Sequence, residues 1–262
     1  YHATGTVVPS HQWVEGFLDY YFLTGRQEAW DAAIAVGENI LRLLQQPEMT
    51  QPGATSVRET GWALRAMVGL WLGTGEQRWK DEATRIVEQF LSWSDIYDGL
   101  LAPYTSHSMP RVTFMISLTV NSFARYLLIQ PDERIEQLII RTMDDVIEHC
   151  LGPDGIFYYK ELPSLRGQAI TPHALEALTH AWRVSGDDRY LKIATRQFYA
   201  LAQQPLKVAD TNKWIDPSGA VIRGTGGGRI FADRYLSILL FAGAATSQGL
   251  LDWYEYPFHD VL

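Results

Sequence analysis

A helix–turn–helix unit recurs along this chain, and that repeat limits what it can fold into. Four apolar helical stretches each run into a short turn and then a second helix. The turns are Leu23-Thr24-Gly25-Arg26, Gly73-Thr74-Gly75-Glu76, Ile129-Gln130-Pro131-Asp132 and Val184-Ser185-Gly186-Asp187. Positions 25, 75, 131 and 186 lie 50, 56 and 55 residues apart. An acidic residue and then a large apolar one follow each turn: Trp30, Trp79, Ile135 and Tyr190. Glycine suits a left-handed helix C-cap, and the acids favour the start of the next helix through its dipole. Apolar positions recur at helical spacing, as at Ile135, Leu138, Ile139 and Met143. The hairpins are expected at about 10–46, 57–93, 111–150 and 171–204, followed by a ninth helix at 229–247 with no clear partner. Only Gly155 to Lys160 and Ala220 to Arg223 read as short strands or extended loops.

Sequential antiparallel helix pairs fit an open solenoid or a closed α/α toroid. Common solenoid repeats run about 34–47 residues, shorter than the period here. The extra length lies between hairpins, at 47–57, 94–111, 151–171 and 204–228, which is more typical of a toroid with a cleft. The segments LTGRQEAWDAA (23–33), GTGEQRWKDEATRI (73–86) and VSGDDRYLKIATR (184–196) resemble the hairpin turns of the α/α-toroid carbohydrate-active superfamily. That group holds six-hairpin glycosidases, toroidal polysaccharide lyases and sugar epimerases. The resemblance implies a single all-α domain over residues 1–262. Four and a half hairpins against about six imply a ring that is partial or truncated at the N-terminus.

Charge narrows the partners. Twenty-two basic against 30 acidic residues give a net charge of -8, unsuited to nucleic acid or to anionic membranes. The apolar stretch Tyr235 to Ala245 is too short to span a bilayer. Cys150 is alone, so neither an internal disulfide nor a cysteine zinc cluster is available. A soluble chain is expected, cytoplasmic or secreted; oligomeric state is not readable. The 9 Trp, 13 Tyr and 10 Phe fill helix–helix cores or form stacking platforms for sugars.

The resemblance implies that the first helix of each hairpin lines the interior, with its N-terminus at the cleft. Each of these helices opens with ionisable groups. Capping explains any one of them; their recurrence points to a site. Glycoside hydrolysis needs two carboxyl groups, and the candidates are Glu15, Glu59, Glu176 and Asp233, with His11 and His173 as acid–base partners. Glu15 comes first, because a helix from His11 to Thr24 places it on one face with His11. Candidate substrate contacts are Trp13, Arg58, Trp62, Tyr104, His107, Arg111, Tyr158 and Arg229. A lyase would instead draw a base from Tyr104, His107, Tyr158 or Tyr159 and neutralise a uronate with Arg58, Arg111, Arg223 or Arg229. An epimerase would need two histidines, such as His11 and His173. His173, Glu176 and His180 do not have the His-Glu-x-x-His zinc spacing, and 224–228 lacks the Lys-Ser/Thr of a phosphate loop, so neither metal nor cofactor is expected. Gly224 to Gly228 reads as a flexible loop at the cleft. The expectation is a glycoside hydrolase acting on a poly- or oligosaccharide, with a uronate-containing glycan suited to the arginines. The alternatives are a lyase of the same fold and a non-enzymatic helical-repeat binding module.

Overall fold

The computed structural model describes residues 8–50, 57–96, 111–162, 167–168, 171–202, 213–215, 221–223 and 226–251, with backbone alone at 48, 96, 213–215, 221–223 and 226–234. Its helices are α1 (Glu15–Thr24), α2 (Gln27–Leu44), α3 (Pro47–Thr50), α4 (Val57–Thr74), α5 (Gln77–Ile96), α6 (Thr113–Leu127), α7 (Glu133–Cys150), α8 (Pro172–Ser185), α9 (Arg189–Ala202) and α10 (Gly226–Ser247). Two strands, β1 (Lys213–Ile215) and β2 (Val221–Arg223), pair antiparallel with Lys213 opposite Arg223.

The helices form two rows. α1, α4, α6, α8 and α10 contact one another in sequence order, and α2, α5, α7 and α9 pack behind them. Helices α7 and α9 each bury one stripe, such as Ile135, Leu138, Ile139, Thr142, Met143 and Val146 of α7, as amphipathic helices do. Helix α6 is instead buried on nearly every side from Met115 to Phe123, so it lies between layers. One contiguous core runs from Val14 and Leu18 through Trp79, Phe90, Phe123 and Tyr190 to Phe241.

Three turn glycines cap their helices in the left-handed region, at φ 69° for Gly25, 71° for Gly75 and 72° for Gly186. The third turn lacks glycine. There Asp132 caps α7, its carboxylate accepting from the Arg134 backbone N–H at 3.0 Å. Glycine acts again where α4 meets its neighbours. A Cβ on Gly61 would stand 2.5 Å from Thr119 Oγ1, and one on Gly73 would stand 2.9 Å from Leu18 Cδ1. The hydrogens at these positions let α6 and α1 approach α4 closely.

The structure departs from expectation at two helix starts. The first helix does not begin at His11. Residues Pro9–His11 make a 3-10 turn, and the chain is extended at Gln12 (φ -125°, ψ 98°) before α1 opens at Glu15. Two side chains hold the break: Trp13 Nε1–H donates to Ser10 O at 3.1 Å and Gln12 Nε2–H to Val8 O at 3.3 Å. His11 and Glu15 therefore do not share a helix face. At the other end, α10 starts at Gly226, so Gly226 to Gly228 belong to a helix and not to a flexible loop. The stretch 155–160 makes isolated bridges, Leu151 with Phe157, Tyr158 with Gln168 and Val112 with Lys160. Among the described residues no helix is long and apolar enough to cross a membrane.

Candidate active site

Counting back from the turns brings the interior into register. Ten residues before positions 25, 75, 131 and 186 stand Glu15, Arg65, Asn121 and Glu176. Six residues before them stand Asp19, Gly69, Arg125 and His180. These sets lie one helical turn apart and recur on α1, α4, α6 and α8, so equivalent positions of neighbouring front-row helices carry a stripe that is polar everywhere but at Gly69.

Their contacts join across the helices. Glu15 is held by two guanidiniums: Arg65 Nε donates to its Oε2 at 2.7 Å, and Arg125 Nη1 approaches its Oε1 at 2.9 Å. Gly69 leaves room for this, since a Cβ there would stand 3.2 Å from Glu15 Cγ. Burial, with Arg65's charge beside it, pushes the Arg125 guanidinium down from its ordinary value; Glu15, Glu176 and Asp19 pull the other way. Among the described residues, two polar atoms in the stripe, Arg125 Nε and Asn121 Oδ1, are buried without a hydrogen-bond partner. Asn121 spends its Nδ2–H on the His173 carbonyl at 3.2 Å.

Glu176 is 3% exposed. Ser237 Oγ–H on α10 donates to its Oε2 at 2.7 Å, and His180 Nε2 stands 3.7 Å from its Oε1. Burial alone raises this carboxyl. Contact with His180 and Ser237, with the charges of His180 and Arg65, outweighs burial and holds it down at about 2.

A second cluster sits where α4 begins. Glu59 is buried and accepts from Ser10 N–H and Ser10 Oγ–H at 2.9 Å each, and from Arg58 Nη2 at 2.8 Å. Ser10 Oγ also lies 3.0 Å from His11 Nδ1. Serine is in the middle of this chain, not histidine, so it lacks the order of a Ser–His–carboxylate relay. Between the two clusters Trp13, which is 55% exposed, packs on Trp62 with centroids 5.7 Å apart. The Arg65 guanidinium lies over Trp62 at 5.2 Å. Gln12, Trp13, Glu15, Trp62 and Arg65 line a depression of about 10 Å³, room for one water.

The remaining candidates lie apart or are not described. Arg111 is spent on Asp145 of α7 at 2.7 Å and on Glu161 at 2.5 Å, a pairing that raises its already high pKa. Tyr158 is built into the loop after α7, its N–H donating to Cys150 O and its carbonyl accepting from Thr113 Oγ1–H. Burial pushes the Cys150 thiol up to about 11, so it is not a poised nucleophile. Tyr104 and His107 fall outside the described residues, and so do the side chains of Arg229 and Asp233. Single-helix reading missed Arg65, Arg125 and Ser237 and weighed His180 only for metal spacing. The signal that finds the first two and His180 is the repeat register.

The model of the β-L-arabinofuranosidase GH127 catalytic domain matches residues 6–206, from the segment before α1 to the end of α9. The chain belongs to that family. No curated protein sequence matches it. Among solved structures, the cellobiose 2-epimerase of Bacillus thermoamylovorans B4167 superposes with a TM-score of 0.61 at 15% identity, over 80% of this chain and 64% of the epimerase. An inactive variant of the α-1,6-mannanase of Salegentibacter sp. HEL1_6, in complex with α-1,6-mannotetrose, gives 0.62 at 16% identity over 94% of this chain and 73% of the mannanase. The unsaturated glucuronyl hydrolase of Bacillus sp. GL1 gives 0.59 at 12% identity, over 98% and 72%. The chain thus spans 64% of the epimerase's length. At these identities the likenesses speak to fold: repeated antiparallel hairpins of the α/α-toroid class.

Proposed function

We propose that this chain is a glycoside hydrolase that releases L-arabinofuranose from oligosaccharides. The observation that carries the reading is the family match over 6–206, which encloses Glu15, Arg65, Arg125, Glu176 and the Trp13–Trp62 pair. The aromatic pair gives the apolar face of a sugar a surface to pack on. Glu15 presents a carboxylate fixed by two cations to the positive charge that develops at the anomeric carbon.

The test is release of arabinose from an aryl β-L-arabinofuranoside and from an arabinose disaccharide, run beside mannan and uronate-containing polysaccharides. Arabinose release that falls about 100-fold or more in Glu15→Gln is expected, the scale on which a positioned catalytic group acts. Absorbance of an unsaturated uronate would replace this reading with the lyase. Binding without turnover would replace it with a binding module.

A further inference from the structure

Resting on the reading of this face as the sugar site, we propose that Glu15 decides which sugars enter. It fills the carboxylate seat between Arg65 and Arg125, so the site takes neutral glycans and turns away uronates. A planar carboxylate accepts strongly from guanidinium, and two guanidiniums that converge on one point make a seat for it. Arg65 of α4 and Arg125 of α6 converge in this way. Arg65 Nε donates to Glu15 Oε2 at 2.7 Å, and Arg125 Nη1 lies 2.9 Å from Oε1, one cation on each oxygen. The group between them comes from the chain's own α1, and it stands where a sugar's carboxylate would stand. Gly69 of α4 leaves Glu15 its place there, since a Cβ would lie 3.2 Å from Glu15 Cγ.

The seat borders the aromatic pair and is open to a ligand. Glu15 and Arg65 line the depression beside Trp13 and Trp62, and the Arg65 guanidinium lies over the Trp62 ring at 5.2 Å. A sugar packed on Trp13 therefore carries its substituents next to Glu15. The side chains of the seat are partly exposed, Glu15 at 29%, Arg65 at 18% and Arg125 at 25%.

The surrounding charge works in the same direction. Besides Glu15, the charges that act on Arg125 are those of Arg65, Glu176 and Asp19. Three carboxylates thus face two guanidiniums, and a uronate would add a fourth. His180, 3.7 Å from Glu176, contributes a cation only when protonated. Like charges gathered in a partly buried site repel strongly, and repulsion of the wrong ligand is a common source of specificity. Other arginines that could hold a uronate are engaged as well: Arg58 pairs with Glu59, and Arg111 with Asp145 and Glu161. The side chains of Arg223 and Arg229 lie outside the described residues. A neutral sugar meets none of this repulsion, and its hydroxyls can donate to Glu15 without displacing it.

Binding tests this apart from turnover. Calorimetry is run with trigalacturonate and with its methyl ester, two probes that share one sugar chain and differ in charge. The full chain is expected to bind the ester and to reject the acid. Glu15→Gln removes the built-in anion and frees both guanidiniums. It is expected to reverse the preference, gaining about 10–100-fold in affinity for the acid, the scale of hydrogen bonds to a charged group. That gain should shrink as salt is raised and should be lost when Arg65→Ala is added. A residue that only braces the fold would leave the two probes in the same order. Circular dichroism checks folding; if Glu15→Gln does not fold, Glu15→Ala replaces it, and the wild-type preference is read in either case. A wild-type chain that favours the acid, no binding of the acid by Glu15→Gln, or a gain that survives Arg65→Ala in full overturns the proposal. The hydrolase reading stands or falls separately, on arabinose release by the wild-type chain.

Discussion

Glu176 is where a single side chain reports on folding as well as on the site. Its carboxyl titrates near 4.5 when free and at about 2 in the folded chain. A depressed folded-state pKa means that the unfolded chain binds the proton first as pH falls. The stabilisation is therefore complete above about 4.5, and it fades as pH drops towards 2. On the order of 3 kcal/mol is at stake at neutral pH, from about 1.4 kcal/mol per tenfold change in proton affinity. Glu176→Gln should lower stability to urea by a few kcal/mol at pH 7 and by much less near pH 3. An equal deficit at both pH values would mean that packing, not charge, is what the substitution removes. The sequence exposed Glu15 and Glu176 as candidates because both stand near helix starts. It hid Arg65 and Arg125 because they sit nine and thirteen positions into α4 and α6, where an isolated helix gives no hint which face looks inward. Only their equivalence to Glu15 and His180 across the repeat reveals them.

At the level of the elements, most of the architecture was written in the turns. Gly25, Gly75 and Gly186 adopt the left-handed cap that their positions imply, and α7 spans Glu133–Cys150 as its periodicity requires. The start of α1 was not legible. Its helical pattern runs back to His11, and the break at 12–14 is made by Gln12 and Trp13 bonding to carbonyls behind them, a competition no periodicity records. The seam between α4 and α6 was equally silent, since an interior glycine ordinarily reads as a weakness in a helix. Thr119 Oγ1–H bonds Val57 O and Met115 O at 3.1 Å each, and Gly61 is the space it occupies. Gly61→Ala gains up to about 1 kcal/mol of helix propensity, but its Cβ meets Thr119 Cα at 3.1 Å as well as Oγ1 at 2.5 Å. Overpacking of that kind costs about 1–3 kcal/mol, so net destabilisation is expected. Gly16→Ala on α1 meets nothing within 4 Å, and there the propensity gain should show as a small rise in Tm. Matched thermal melts decide both signs, and a neutral Gly61→Ala would place the α4–α6 crossing farther apart.

Across the whole molecule, the question is whether the hairpins unfold together. A row of hairpins touching only its neighbours can lose cooperativity and melt from its ends. Here the ends differ from the middle. Helix α1 buries Leu18 and exposes Phe17, Tyr20, Phe22 and Leu23, while α10 exposes Tyr235 and Leu239. Between them the core is continuous, with Leu64 of α4, Ile139 of α7 and Leu178 of α8 all fully buried in one cluster. Adjacent front-row helices share that cluster, and the Glu15–Arg65–Arg125 contacts tie three of them together. The expected behaviour is one transition. Leu64→Ala and Leu178→Ala should each cost about 2–5 kcal/mol, and far-ultraviolet circular dichroism and tryptophan fluorescence should shift together in both. Leu64 and Leu178 belong to hairpins about 114 residues apart in sequence, so a shared midpoint means the two hairpins are energetically one body. Two resolved steps, with Leu64→Ala moving one and Leu178→Ala the other, would instead divide the chain into separately folding hairpin pairs. The interior polar stripe would then not be held by a single fold, and the catalytic geometry argued from it would fail with the cooperativity.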